Sequence, residues 1–243
     1  AKYASIWQKK GSPLLLHTAE LAHQLQQRLH GQVMVEFAMR YGEPSIASRL
    51  HQLKAQGCQQ ILLLPLYPQY ASSSSGSALD ECWRVLRQYR HVPDIRTLRH
   101  YHDHPAYIEA LAQTVRQHWT QYGQGDVLLM SFHGVPKATL EQGDPYFCEC
   151  HKTARLLAQT LELAPDRWQL AFQSRFGRAE WVKPYTHETL KQLGKRKLAR
   201  LDVICPAFAT DCLETLEEIA QEGKETFILI HRRSANLKPG TAV

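Results

Sequence analysis

Continuous apolar runs alternate with helix-periodic segments along almost the whole chain. Leu21, Leu25 and Leu29 recur at four-residue spacing, and the serine–proline pair at 12–13 can cap and start the helix that carries them. The run 61–66 is apolar at nearly every position, which is typical of a strand buried on both faces. The two patterns predict an α/β protein.

The alternation assigns most of the chain to elements. It predicts strands over 33–38, 61–66, 94–98, 127–132, 168–172 and 201–205. It predicts helices over 12–31, 45–56, 78–89, 105–119, 146–163, 187–193 and 212–221. Strands alternating with helices imply parallel sheets covered by helices on both faces, and we expect two similar halves that divide near 91–97.

A histidine stands at the end of the most apolar strand. His133 follows the run 127–132, Gly134 permits a sharp turn after it, and Pro136 fixes the exit of the chain. The carboxyl ends of parallel strands form the binding crevice of open α/β sheets, so an imidazole there is well placed to meet a ligand. From this segment alone, a structural histidine in a loop is the alternative.

Two further segments carry aromatic residues in polar loops. Tyr67 and Tyr70 flank Pro68 and offer flat faces to a large planar ligand, and the serines at 72–75 could hold an anionic group at a helix start. The alternative is a polar loop with a helix cap. Trp181 is compatible with a cleft wall or with ordinary packing.

Three glutamates recur at four-residue intervals in the last predicted helix. Glu214, Glu218 and Glu222 would share one face, which is most simply a solvated one. If the face lines a cleft, mutual repulsion raises the pKa of the carboxylates and attracts cations and protons. The row is therefore a candidate proton or metal path.

Composition narrows the class of protein. The net charge of +6 is dispersed, so we predict no nucleic-acid binding, while contact with an anionic membrane surface stays open. The sequence has neither an apolar run of membrane-spanning length nor a signal-peptide core, and we expect a cytoplasmic location. The six cysteines are interpreted as free thiols. Cys148 and Cys150 could ligate a metal, but they lack a second pair, and their role stays open.

The ordered motifs resemble one family. Residues 129–136 together with 143–146 look like the signature of ferrochelatases, in a bacterial style, and four more segments resemble the same family in the same order: 3–14, 64–76, 172–186 and 205–219. The resemblance implies two Rossmann-like, chelatase-type domains with a porphyrin cleft between them. We expect an N-terminally incomplete first domain over 1–92, a second over 93–225, and an atypical C-terminal tail over 226–243. The family's usual N-terminal strand and C-terminal ending have no counterpart here.

The resemblance also implies an activity, the insertion of Fe²⁺ into a free-base porphyrin (protoporphyrin IX) to form haem. It matches His133 and Glu214 to the catalytic and metal-binding positions, and Glu218 and Glu222 would extend a path outward. The predicted porphyrin contacts are Tyr67, Gln69, Tyr70, Ser72 and Trp181. A truncated, non-catalytic porphyrin-binding relative and a related cobalt chelatase are the alternatives.

The expected partners are porphyrin and ferrous iron, and the iron is a substrate. Some family members carry a two-iron cluster with a cysteine ligand in the loop that corresponds to residues 67–72, here the aromatic loop. Ser72 stands at that position here, so we expect neither such a cluster nor any other bound prosthetic group.

Overall fold

The computed structural model describes residues 2–196 and 198–234. Its strands form two parallel sheets, one with the order β1-β2 and one with the order β4-β3-β5. The strands are β1 (Gln60–Leu63), β2 (Asp94–Thr97), β3 (Val127–His133), β4 (Trp168–Gln173) and β5 (Leu201–Ile204). The α/β class with parallel sheets flanked by helices is confirmed.

Helices precede, separate and follow the strands. They are α1 (Lys2–Ile6), α2 (Pro13–Arg28), α3 (Ile46–Ala55), α4 (Ser77–Leu86), α5 (Pro105–Tyr122), α6 (Lys137–Glu141), α7 (Tyr146–Thr160), α8 (Thr186–Lys195) and α9 (Lys224–Ser234). Two π-helical segments, Ser72–Gly76 and Glu214–Gly223, and a 3₁₀ turn, Pro165–Arg167, complete the set. The predicted cap of α2 is present, because the Ser12 hydroxyl accepts the N–H of Leu15. None of the described helices is long and apolar enough to cross a bilayer.

The three-stranded sheet is packed on both faces. Leu128, Met130 and Phe132 of β3 point to one face, where they join the core formed with α5 and α7. Val127 and Leu129 point to the other face, where they join residues of α8 and α9. The strand is continuously apolar because both of its faces are buried.

The two-stranded sheet is covered on one side. Leu50 of α3 and Val85 of α4 pack with Ile61 into a small core. Leu62, one position along β1, is 64% exposed, and Leu64 just beyond the strand is also exposed. The prediction that 61–66 is buried on both faces is therefore wrong for the described residues. An apolar run indicates the strand but not what covers it.

The predicted strand over 33–38 is not formed. The side chain of Gln26 forms hydrogen bonds with the backbone there. Its amide nitrogen donates to Val33 O, and its amide oxygen accepts the N–H of Val35. A strand needs a neighbouring backbone as partner, and no described strand pairs with this segment. The leucine stripe of α2 is likewise amphipathic but mostly exposed, at Leu21 and Leu25.

Two expectations concern boundaries. β2 follows the predicted boundary at 92/93, yet it pairs with β1 and so belongs to the first sheet. The described part of the predicted tail is α9, which packs against α8, and residues 235–243 lie outside the described residues. The division into two domains stays a prediction.

Candidate active site

His133 ends β3 with one ring nitrogen engaged. Its Nδ1 lies 2.6 Å from the carbonyl oxygen of Gly134. A carbonyl only accepts, so Nδ1 carries a proton, and in the neutral imidazole the lone pair is then on Nε2. The ring lies between Trp181 and Phe208, with centroid separations of 6.3 Å to each. Phe208 was not among the predicted site residues, although it lies within the segment 205–219 that resembles the family.

Gly134 allows a close approach behind this histidine. Its N–H donates to the carbonyl oxygen of Gln173 at 2.8 Å. An added Cβ would stand 2.9 Å from that oxygen and 2.9 Å from a carbon of the Trp181 ring. Trp181 is only 4% exposed, and the backbone beside it is fixed by a bond from Val182 N–H to Val135 O. Its indole thus backs the histidine turn.

Gln173 joins β3, β4 and the π-helical segment Glu214–Gly223, here the acidic helix. It is the register partner of His133, and its buried amide donates to the carbonyl oxygen of Glu214 at 2.8 Å. The amide oxygen accepts from the Ser131 hydroxyl at 2.6 Å. The parallel register therefore brings the start of the acidic helix to the strand end that carries His133.

The glutamate row divides into an inner and an outer part. Glu218 accepts from the N–H and the hydroxyl of Ser174, each at 2.6 Å, just beyond the end of β4. Glu222 and Glu217 instead pair with the exposed Lys2, at 2.7 and 3.0 Å, and these hydrogen bonds raise the pKa of Lys2. The predicted helix over 212–221 is formed over Glu214–Gly223, and it is π-helical. Such turns frequently occur at functional sites.

Glu214 lies among titratable groups whose pKa values are raised. Burial, and next the charge of Glu214, raise the pKa of the Cys212 thiol to about 12. Burial likewise raises the pKa of Cys205 to about 12. The pKa of Tyr67 is raised mainly by burial, and Glu214 is among the nearby groups that add to the effect. The aromatic loop and the acidic helix thus face a common region.

Hydrogen bonds to α7 and to the turn before it fix the aromatic loop. The N–H of Tyr70 donates to Glu149 at 2.7 Å, and that of Ser72 donates to Asp144 at 2.7 Å. Gln69 is 1% exposed and donates to the Thr153 hydroxyl. Its side chain supports the loop from beneath and has no surface free for the porphyrin contact predicted for it. Tyr67 keeps an exposed face, and Tyr70 a partly exposed one.

Cys148 and Cys150 do not converge. Cys148 is exposed, whereas Cys150 is fully buried and burial raises its pKa well above the usual range. Among the described residues they belong to no cluster with metal-ligand geometry.

Comparison with protein families matches residues 1–235 to the model described as Ferrochelatase. The ferrochelatase of Chromobacterium violaceum is 60% identical over 233 residues, which are 93% of this chain and 64% of that protein. The ferrochelatase of Nitrosomonas europaea is 59% identical over 230 residues, 93% of this chain and 63% of that protein. The chain thus spans slightly under two thirds of the length of these relatives.

A solved structure shares the fold. It is described as SirB from Bacillus subtilis with Fe³⁺, and it matches with a TM-score of 0.60 at 18% identity. The match covers 89% of this chain and 81% of the SirB chain. This supports the chelatase-type architecture that the motifs imply.

Proposed function

This chain belongs to the ferrochelatase family, and from that premise we propose that the protein inserts Fe²⁺ into a free-base porphyrin, protoporphyrin IX, to form haem. The observation that carries the proposal is the His133 ring, whose Nδ1 is engaged by Gly134 and whose Nε2 keeps its lone pair at the carboxyl edge of the sheet. Glu214 begins the acidic helix, and its carbonyl oxygen is held beside that edge by a hydrogen bond from the side-chain amide of Gln173.

The reaction must remove two pyrrole protons as the metal enters the ring. In our proposal, Nε2 of His133 accepts one pyrrole proton or ligates Fe²⁺ during transfer, and Glu214, as its partner, accepts the other proton. Glu218 receives the proton or passes the metal, and Glu222 forms the outer end of the path near the surface. The hydrogen bonds of Ser174 to Glu218 support this order, because they keep one carboxylate beside the strand ends.

The porphyrin is proposed to lie against the exposed faces of Tyr67 and Tyr70, with Ser72 at its edge. Trp181 acts from behind His133 in this proposal, since its indole is buried against the histidine turn. Rigid walls of this kind can hold the macrocycle out of plane, which exposes the pyrrole lone pairs to the metal. Gln69 contributes by positioning the loop through Thr153.

Ser72 replaces the cysteine that a two-iron cluster would require in this loop, so we propose that Fe²⁺ acts as substrate only and that no prosthetic group is bound. A cytoplasmic location and the absence of nucleic-acid partners are proposed with it. Identities of 53–60% to ferrochelatases favour this activity over the cobalt chelatase alternative.

Anaerobic metallation tests the proposal. The protein is mixed with protoporphyrin IX and Fe²⁺, and loss of free-base fluorescence is followed, with Zn²⁺ as a parallel metal. We expect His133→Ala to lower the rate by ~10²–10⁴-fold, the usual contribution of a positioned acid–base group, and Glu214→Gln to lower it comparably. Glu217→Gln is the matched control on the same helix, because Glu217 pairs with Lys2 and has no role in the proposed path, and we expect a loss of less than tenfold.

Three outcomes would contradict the proposal. Porphyrin binding without turnover in the unmodified chain would favour the non-catalytic alternative. Full activity in His133→Ala would remove the histidine from the mechanism. Faster insertion of Co²⁺ than of Fe²⁺ would favour the cobalt chelatase alternative.

A further inference from the structure

Two histidines and a glutamate meet beneath the aromatic loop, in a cluster that contains none of the proposed catalytic residues. His100 and His102 follow β2, and Glu149 lies in the first turn of α7. Glu149 Oε1 lies 2.5 Å from His100 Nδ1, and Glu149 Oε2 lies 3.4 Å from His102 Nδ1. One potential ligand atom from each residue lies within 4.8 Å of the others.

We propose that His100, His102 and Glu149 form a second metal site, which binds a divalent transition cation of the class that prefers imidazole and carboxylate ligands. Two imidazole nitrogens and one carboxylate oxygen are a donor set that Zn²⁺ uses with a water molecule in the fourth position. Imidazole also suits Fe²⁺, Co²⁺ and Ni²⁺, so geometry alone selects the class rather than one member.

An unsatisfied buried atom supports this assignment independently. His102 is 5% exposed, and its Nδ1 has no hydrogen-bond partner among the described residues, although it faces Glu149. Buried polar atoms are nearly always satisfied, and one that is not calls for an explanation such as an ion. A cation between His102 and Glu149 would satisfy this nitrogen.

The surroundings of the cluster allow entry and adjustment. Metal–ligand bonds of ~2.0–2.2 Å require the widest pair of ligand atoms to approach and the 2.5 Å pair of His100 and Glu149 to separate. His100 can supply this movement, because about a third of its side chain is exposed, and it also opens the cluster to solvent. The nearest further charges are Asp103, 3.9 Å from His102 Nε2, and Lys152, which pairs with Asp103 and neutralises it.

Occupancy of this site would act on the aromatic loop. Glu149 also accepts the N–H of Tyr70, and the carbonyl of His102 accepts from Thr153, which in turn holds Gln69. A bound cation would therefore tie the segment after β2, the helix α7 and the loop into one unit. The inference does not rest on the proposed activity, since the ligands are distinct from His133 and Glu214.

Zinc binding to the full chain, produced without a histidine tag and stripped with a chelator, tests the proposal. The experiment uses His133→Ala as background, which weakens the site at the strand end, and measures stoichiometry and affinity by calorimetry. We expect one zinc per chain in this background. Adding His100→Gln should weaken binding by more than ~10-fold, the smallest loss typical of changes around a metal site.

His104→Gln is the matched control, because His104 lies in the same segment but only caps α5 through the N–H of Ala106. It should leave zinc affinity unchanged. The partly exposed His100 is chosen so that the variant folds, and zinc should raise the Tm of the background protein but not that of the His100→Gln variant. Absence of zinc binding in the background, or equal affinity in the His100→Gln and His104→Gln variants, would overturn the proposal.

Discussion

Replacing Gly134 with alanine perturbs the candidate site by a single methyl group. That methyl would stand 2.9 Å from the carbonyl oxygen of Gln173 and 2.9 Å from the ring of Trp181. Neither neighbour can yield easily. The carbonyl belongs to the end of β4 and accepts the N–H of Gly134 itself, and the indole is buried. The strain must therefore be relieved by moving the turn that carries His133.

The size of the effect follows from these contacts. Overpacking of a well-packed interior typically costs ~1–3 kcal/mol, which lowers Tm by ~2–4 °C per kcal/mol in a chain of this size. The effect on activity should be larger in proportion, because a displacement of ~1 Å at a catalytic group can reduce the rate by ~10²-fold. We therefore expect a modest loss of stability and a large loss of metallation.

Gly57→Ala separates the two effects. Gly57 follows α3 and has φ +79° with nothing within 4 Å of an added Cβ, so alanine meets only backbone strain of ~1–2 kcal/mol. Urea unfolding should show similar losses for the two variants, whereas porphyrin metallation per folded molecule should fall only for Gly134→Ala. If both variants metallate porphyrin equally well, the packing behind His133 does not control the site and the reasoning is refuted.

Two further predictions concern the supports of the site. Asp144→Ala should destabilise the chain by ~1–2 kcal/mol, the loss typical of a helix cap, because Asp144 accepts the N–H groups of both Ser72 and Tyr146. Urea unfolding measures this loss, and a loss no larger than that of Asp144→Asn would contradict the prediction. The pKa values of Cys205 and Cys212 are raised in the fold to about 12, so folding favours their neutral thiols. This contribution to stability is fully present below the ordinary thiol pKa of about 9, and it is lost as the pH rises from there towards about 12. Unfolding free energy should thus decline above pH 9. Alkylation mapped by mass spectrometry at pH 8 should modify the exposed Cys148 before the partly buried Cys205 and the buried Cys212.

The three-stranded sheet was predictable because its strands carry their own evidence. β3 is apolar at five of its seven positions, and every position before His133 is buried. The expected strand over 33–38 looked similar in composition, but strand formation depends on a partner backbone, which composition does not reveal. The side chain of Gln26 satisfies that segment instead.

The residues of the candidate site were predictable by motif, and their surroundings were not. Periodicity places Glu214 and Glu218 on one face, but it cannot distinguish an α-helix from the π-helix that the structure shows. Gln69 is polar and stands between aromatic residues, yet it is buried on Thr153. The cluster of His100, His102 and Glu149 joins residues far apart in the chain, so no local spacing could reveal it.

Gln173 explains how one strand register can assemble the whole site. Its backbone carbonyl holds Gly134, its amide oxygen holds Ser131, and its amide nitrogen holds the first carbonyl of the acidic helix. A shift of β4 by one residue would turn this side chain to the opposite face of the sheet and break the link to Glu214. The parallel pairing of β3 with β4 is thus the feature that sets the histidine and the glutamate at the same edge, and the porphyrin chemistry we propose depends on that register.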